Sequence, residues 1–288
     1  MATTLNNIAN AEGITSAITQ LIRKSSIAFQ VCGVQGASTS NPSVFGVRKQ
    51  SGSTGLEIAE KVCTLNKSAN SDEFTEEVVE DIYNLFGESA EEQLKLIAAN
   101  SVIDDIDSTL ISYMKGIATQ ETAVSYDFST GTAKDHINNL ILQINRIRVG
   151  MAKSTQRGLP KYLVVSDGVA SLLITNKIIS GNDSDYIDGG PERIKFLGKV
   201  GDMQVYHDLD SAGSDYILFL HKTHVPGDAS VILAPINDVS VDIRPHGKTG
   251  QPNLYFYQRY AYSQNPLDTP GANVSDFVRS LDVTIMNL

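Results

Sequence analysis

The chain has 288 residues, of which 41% are hydrophobic and 19% charged, so it can bury one large core or two modest ones as an ordinary globular protein does. The formal net charge is −10 and the Lys and Arg residues are scattered, which argues against nucleic-acid binding as a main task, because phosphate contacts need clustered cations. No apolar run approaches the roughly 20 residues of a membrane span, and the opening MATTLNNIANAEG has neither the basic start nor the apolar stretch of a secretory signal. Cys32 and Cys63 lack metal-type spacing and read as reduced thiols of a cytosolic protein.

Residues 1–20 are small and polar, with Ile8, Ile14 and Ile18 at loose helical spacing, and read as an arm or a weak helix with few contacts of its own. A helical run at Leu21 and Ile22 carries Arg23 and Lys24, then passes through Ile27-Ala28-Phe29 into Val31-Cys32-Gly33-Val34-Gln35. A polar turn at Asn41-Pro42 leads to a strand-like Val44–Arg48. Within the Gly-, Ser-, Thr- and Asn-rich region 36–75, Val44–Lys49 and Leu56–Leu65 flank the turn Gln50–Gly55 and predict a long hairpin. Its apolar content is too low to hold an isolated ribbon. It is therefore expected to lie on something else, such as a neighbouring copy, or else to be a loose surface loop.

Residues 72–86 predict a short amphipathic helix stopped by Gly87, and Ser89 with Glu92 forms a capping box for the next. The stripe Leu94, Ala98, Val102, Ile106, Leu110, Tyr113, Ile117 keeps a 3.6-residue period. A helix from Ser89 to about Ala118 would be on the order of 40 Å long, a structural beam. Asp104, Asp105 and Asp107 are assigned to its wet side. After the polar stretch Thr119–Gly131, Thr132 caps a second helix with the stripe Ile137, Leu140, Ile141, Ile144, Ile147, Met151. A buried-type strand Tyr162–Ser166, a helix Asp167–Thr175 and a polar loop Ser180–Pro191 follow. Further strands are expected at Gln204–His207, Tyr216–His221, Val231–Leu233, Val239–Arg244, Leu254–Tyr262 and Val278–Met286. The aromatic Leu254–Tyr262 is covered on both faces, which suits a central strand; its rings serve either a subunit core or a subunit contact.

Catalytic signatures are missing. There is no nucleophile elbow, Walker A or dinucleotide fingerprint, and Gly150-Met151-Ala152-Lys153-Ser154 lacks the glycine before its lysine. His207, His221 and His224 have no pairing that would put two on one face, and read as surface histidines at strand ends. Asp183, Asp185 and Asp188 lack the ligand pattern of a calcium loop and read as a solvated acidic loop. No catalytic residue, cofactor or metal site is assigned, and the chain is read as a non-enzyme.

The segment Leu21–Lys49 resembles the opening segment of T-even-type phage major capsid proteins: helix, I-A-x-x-x-C/V-G-V-Q-P, polar turn, V-F-x-x-R. Phe86–Leu94 followed by Ile103–Ile106 is similar to that family's "G-x-x-A-E-x-E-L … E-I". Gly158–Ser166 with Val169-Ala170 resembles its "R-G-x-G-N-F-V-V-x-S-x-x-V-A", and Tyr216-Ile217-Leu218 followed by Ala234-Pro235 resembles "D-Y-V-L-V-G … Y-A-P". The order of these phrases spans nearly the whole chain. The resemblance implies an α+β, Hong Kong 97-type phage capsid fold. Its parts would be an N-terminal arm (1–35), an extended loop (36–75), a peripheral domain with a long spine helix (76–131 and 236–288) and an axial domain (132–235). It further implies a major capsid protein whose pentamers and hexamers form an icosahedral head shell around double-stranded DNA, without sequence-specific binding and with no membrane. The protein would then work with a portal and a decoration protein, in a virion assembled in the host cytoplasm. Ile58-Ala59-Glu60 matches the family's I/L-x-E processing signal but falls inside the extended loop, so scaffolding is expected from a separate protein. Contacts between copies are assigned to Arg23, Lys24, Phe45, Arg48, Lys49, Leu56 and Ile58, with the basic residues pairing acidic surface of the next subunit. Loss of 36–75 is expected to leave a folded monomer that cannot close a shell. An encapsulin-like compartment on the same fold and a soluble α/β enzyme remain open as other readings.

Overall fold

The computed structural model describes residues 19–37, 41–49, 56–73, 90–130, 132–180, 193–211, 213, 215–237, 240–245, 252–268 and 275–287. Residues 19–25 form helix α1, which Ser26 interrupts: its N–H still bonds Ile22 O (2.9 Å), but its extended backbone and its hydroxyl, which accepts from Ala28 N, start a second short helix, α2 (Ile27–Val31). Strand β1 (Gly33–Val34) follows, then β2 (Ser43–Lys49) and β3 (Leu56–Val62), an antiparallel hairpin in register from Ser43↔Val62 to Lys49↔Leu56. The predicted hairpin is therefore present. The rest of the expected extended loop is not part of it. Strand β4 (Thr64–Glu73) leaves the ribbon and pairs with β13 (Pro252–Gln264) of the same chain, from Thr64↔Tyr262 to Asn253↔Glu73.

β13 is the hub of the first sheet. Its C-terminal half pairs with β11 (Val231–Pro235), its N-terminal half with β12 (Ser240–Pro245), and β4 lies along its other side. β1 adds to β11 in parallel. The aromatic strand is thus central, as its two covered faces predict. Tyr260 and Tyr262 are buried against the long helix α3 (Ala90–Ile117): Tyr262 Oη donates to Ile106 O (2.9 Å) and Tyr260 Oη to Thr109 Oγ1 (3.2 Å). Their rings serve the subunit core.

A second sheet has the order β5 (Ala118–Gln120), β14 (Ser275–Met286), β10 (Asp215–Leu220), β7 (Tyr162–Val165), β9 (Met203–Asp208), β8 (Ile194–Val200), with β6 (Val124–Asp127) also on β14. Period-two alternation sorts its side chains. Leu163, Val165, Val205, Ile217, Phe219, Leu281 and Val283 meet α4 (Ala133–Thr155) and α5 (Asp167–Thr175) on one face. Val164, Tyr206, Tyr216, Leu218, Leu220 and Val278 meet α3 on the other. α3 buries Val102, Ile103, Ile106, Leu110, Ile111 and Met114 and, with 28 residues, runs about 42 Å. It therefore serves as the beam that its periodicity predicts. α4 begins as expected, with Thr132 Oγ1 accepting from Asp135 N (3.2 Å), and it buries Ile137, Leu140, Ile144, Ile147 and Met151.

Several expectations need adjustment. β5 and β6 occupy the polar stretch 119–131, and β8 precedes β9 where no strand was anticipated. The sheets also cross the expected boundaries: β14, from the C-terminal part, pairs β10 in the second sheet, while β11 joins the first. Pairing partners depend on long-range contacts that a local pattern does not encode. The arm up to residue 18, the hairpin tip 50–55, the expected helix 72–86 beyond residue 73 and the acidic loop 181–192 lie outside the described residues. Among the described residues no helix is long and apolar enough to cross a membrane.

Candidate subunit-contact site

Alternation along the β2–β3 ribbon gives it two unlike faces. Val44 is fully buried and Gly46 faces the body, where an added Cβ would stand 2.9 Å from Leu267 Cγ. The other face points away: Phe45 is 46% exposed, Val47 48%, Ile58 68% and Val62 65%. In an antiparallel pair, residues directly opposite share a face. The registers Val47↔Ile58, Phe45↔Glu60 and Ser43↔Val62 therefore gather these four apolar side chains onto one surface beside Glu60. Large apolar side chains grouped on a two-stranded ribbon are the usual mark of a contact surface.

The residues assigned from sequence fall in two neighbourhoods. Phe45 and Ile58 lie on the outer ribbon face. Arg48, Lys49 and Leu56 belong to the ribbon's backbone near its tip, in register Arg48↔Glu57 and Lys49↔Leu56, and their side chains are outside the described part. Arg23 and Lys24 are exposed on α1, which Ile22 ties into the core beside α3. Val47 and Val62 were missed, although the alternation that places Phe45 and Ile58 outward would have found them.

The short helix α2 is held at both ends by charges from elsewhere in the chain. At its start Asp107 of α3, 2% exposed, accepts from Ser26 Oγ (2.6 Å), Ile27 N (3.1 Å) and Ala28 N (3.2 Å). Burial pushes its carboxyl up to about 7 despite the three donors, and nearby Asp104 pushes in the same direction. At the helix's end Lys222 Nζ donates to Phe29 O (2.9 Å) and Gln30 O (2.7 Å), and burial lowers its ammonium below the ordinary lysine value. Both charges suit the helix macrodipole. Asp107 was expected on the wet face of α3 and is instead internal, because the donors of α2 satisfy it there. Asp104 accepts from Arg193 N (3.0 Å).

The remaining candidates are structural. Cys32 and Cys63 are free and buried; burial raises both thiols, Cys32 the more strongly, which makes them poor nucleophiles. His207 and His221 are buried, not on the surface as expected, because His207 lies on the inner strand β9 and His221 directly follows the inner strand β10; His207 Nε2 lies 2.5 Å from Asp167 Oδ1, and of the three histidines only His224 is exposed. Buried Asp208 receives Tyr216 Oη (2.5 Å) and Arg193 Nε (2.9 Å), and these partners outweigh its burial and lower its carboxyl. Among the described residues no group of three side chains could hold a metal ion.

Comparison with known proteins agrees with this arrangement of elements. The sequence model of the family described as major capsid protein Gp23 matches residues 69–283. Leu21–Lys49, which carries the T-even resemblance, lies before that span. No curated protein matches the sequence. Among solved structures, the capsid of Ralstonia phage GP4 is similar with a TM-score of 0.57 at 9% identity, over 89% of this chain and 87% of that one. A virus-like particle from Pyrococcus furiosus is similar with a TM-score of 0.54 at 12% identity, over 94% and 98%. A Mycobacterium phage Che8 structure gives 0.53 at 12% identity, over 84% and 85%. The fold is the Hong Kong 97-type capsid fold. The chain belongs to the Gp23 major capsid protein family, and it is a structural protein of the phage head shell.

Proposed function

We propose that copies of this chain assemble as pentamers and hexamers, and that the β2–β3 ribbon lays its outer face on the adjacent subunit. The observation that carries this reading is the apolar surface of Phe45, Val47, Ile58 and Val62, each exposed by at least 46%. Burying such side chains in a neighbour stabilises a contact by roughly 25 cal/mol per Å², and the contact is repeated at every subunit. The arm (1–35), with Arg23 and Lys24, reaches a neighbour as well, and these cations with Arg48 and Lys49 pair with its acidic surface. Exposed pairs contribute about 0–1 kcal/mol each, so they set register more than strength. The first sheet with α3 serves as the peripheral lobe. The second sheet, with α4 and α5, serves as the axial lobe that meets its copies around the symmetry axes. The shell encloses double-stranded DNA without reading its sequence, consistent with a net charge of −10. It has no catalytic role, assembles in the host cytoplasm, and works with a portal, a separate scaffolding protein and a decoration protein.

Removal of 36–75 would be a poor test, because it also takes away β4, which spans the side of β13 over ten residues. Point changes on the outer face avoid this. Ile58→Asp and Val47→Asp should leave a folded subunit by circular dichroism but abolish closed particles in negative-stain micrographs and in sedimentation. Normal shells from both variants would sink the proposal.

A further inference from the structure

Resting on the ribbon-docking reading, we propose that Gln35 and Arg157 form a latch that sets the angle at which the β2–β3 ribbon leaves its own subunit, so that the ribbon reaches its neighbour already oriented. In an antiparallel hairpin the N–H and C=O of one residue point to the same side. Those of Phe45 point to the free edge of β2, where the Gln35 amide meets both: Nε2 donates to Phe45 O (2.7 Å) and Oε1 accepts from Phe45 N (2.9 Å). One side chain thus does what a paired strand would do. Gln35 is itself fixed, since its backbone N donates to Leu233 O (3.0 Å) just beyond β1.

Val47 has the same parity, and its carbonyl accepts from Arg157 Nη2 (3.4 Å). Arg157 follows the left-handed residue Gln156 that ends α4. Its Nε lies 3.0 Å from Asp228 Oδ1, and Thr223 Oγ1 holds the other oxygen of Asp228 (3.1 Å). Between the two side-chain contacts the turn Pro226–Asp228 presses backbone against backbone: a Cβ added to Gly227 would stand 2.8 Å from Phe45 O and 3.5 Å from Gly46 Cα. Residues 45–47 are therefore gripped by the strand region after β1, the turn before β11 and the end of α4. A two-stranded ribbon is marginal by itself. Gripped at three points, it gives up little further freedom on docking, and preorganisation of this kind favours association.

The test uses the full-length chain with Gln35→Met, which keeps the length and removes both hydrogen bonds, and separately Arg157→Met. Native-state hydrogen exchange should speed at the Phe45 amide about tenfold or more in Gln35→Met. Shell formation followed by light scattering should slow about tenfold in both variants, with subunit circular dichroism unchanged. Unchanged exchange at Phe45 would overturn the latch. Faster exchange with unaltered assembly would overturn its positioning role. Ile58→Asp separates the two ideas, because it leaves the latch and Phe45 exchange intact and removes only the docking face. Normal assembly of Ile58→Asp would count against docking itself, with the latch still read from exchange.

Discussion

The Asp107 carboxyl should make the anchoring of α2 depend on pH, and its geometry gives both sign and size. The group is fully buried, and it ionises at about 7 in the folded chain against an ordinary 3.8. A carboxyl raised by folding contributes stability that is complete below the lower value and is lost as the pH climbs through the higher one. At 1.36 kcal/mol per pH unit the gap amounts to about 4 kcal/mol between roughly pH 4 and pH 7. Asp107→Asn keeps the shape and cannot ionise. Urea unfolding of the unassembled subunit, wild type beside Asp107→Asn, should show the difference in stability drifting by up to about 4 kcal/mol toward the variant as the pH rises across that window. Exchange at the Ile27 amide, which the carboxylate accepts at 3.1 Å, should report the same change locally. Parallel pH curves for the two proteins would refute the reasoning, since another group would then carry whatever pH dependence is seen.

Lys222→Met should leave Phe29 O and Gln30 O without their ammonium donor and lower stability by about 1–2 kcal/mol, read as a lower urea midpoint at unchanged slope; an unmoved midpoint would show that water replaces it without loss. Gly33→Ala should destabilise by about 3 kcal/mol in thermal unfolding, because its Cβ would stand 1.9 Å from Pro226 O and force the turn away from the ribbon; a wild-type melt would mean that the turn yields freely.

Much of the framework was legible along the chain. The cap at Thr132 and the stripe from Ile137 to Met151 fixed α4, and the period from Val102 to Ile117 fixed the beam, since one-sided burial leaves a helical period. Asp167–Thr175 emerged with the same bounds. The hairpin showed itself as two β-capable stretches around a Gly-Ser turn. β8 did not, because Lys195, Gly198 and Lys199 interrupt its apolar run and Gly198 sits in a bulge with φ +138°. β5 and β6 are only three and four residues long, too short for a pattern of their own, and they pair with β14. The contact face was half visible: Phe45 and Ile58 were named, while period-two alternation, which adds Val47 and Val62, went unused. Gln35, Asp107 and Lys222 were out of reach, because each acts on a residue made close only by the fold, in the case of Lys222 on Phe29 and Gln30 of α2.

β14 lies between β10 on one side and β5 and β6 on the other, and it supplies Val278 to one core and Leu281 and Val283 to the other. A ribosome must therefore translate through Met286 before β5 and β6 can be joined to β10 in one sheet. Until then the nascent polypeptide lacks the wedge that joins its early and middle portions. Translation of β14 thereby gates the closing of the second sheet.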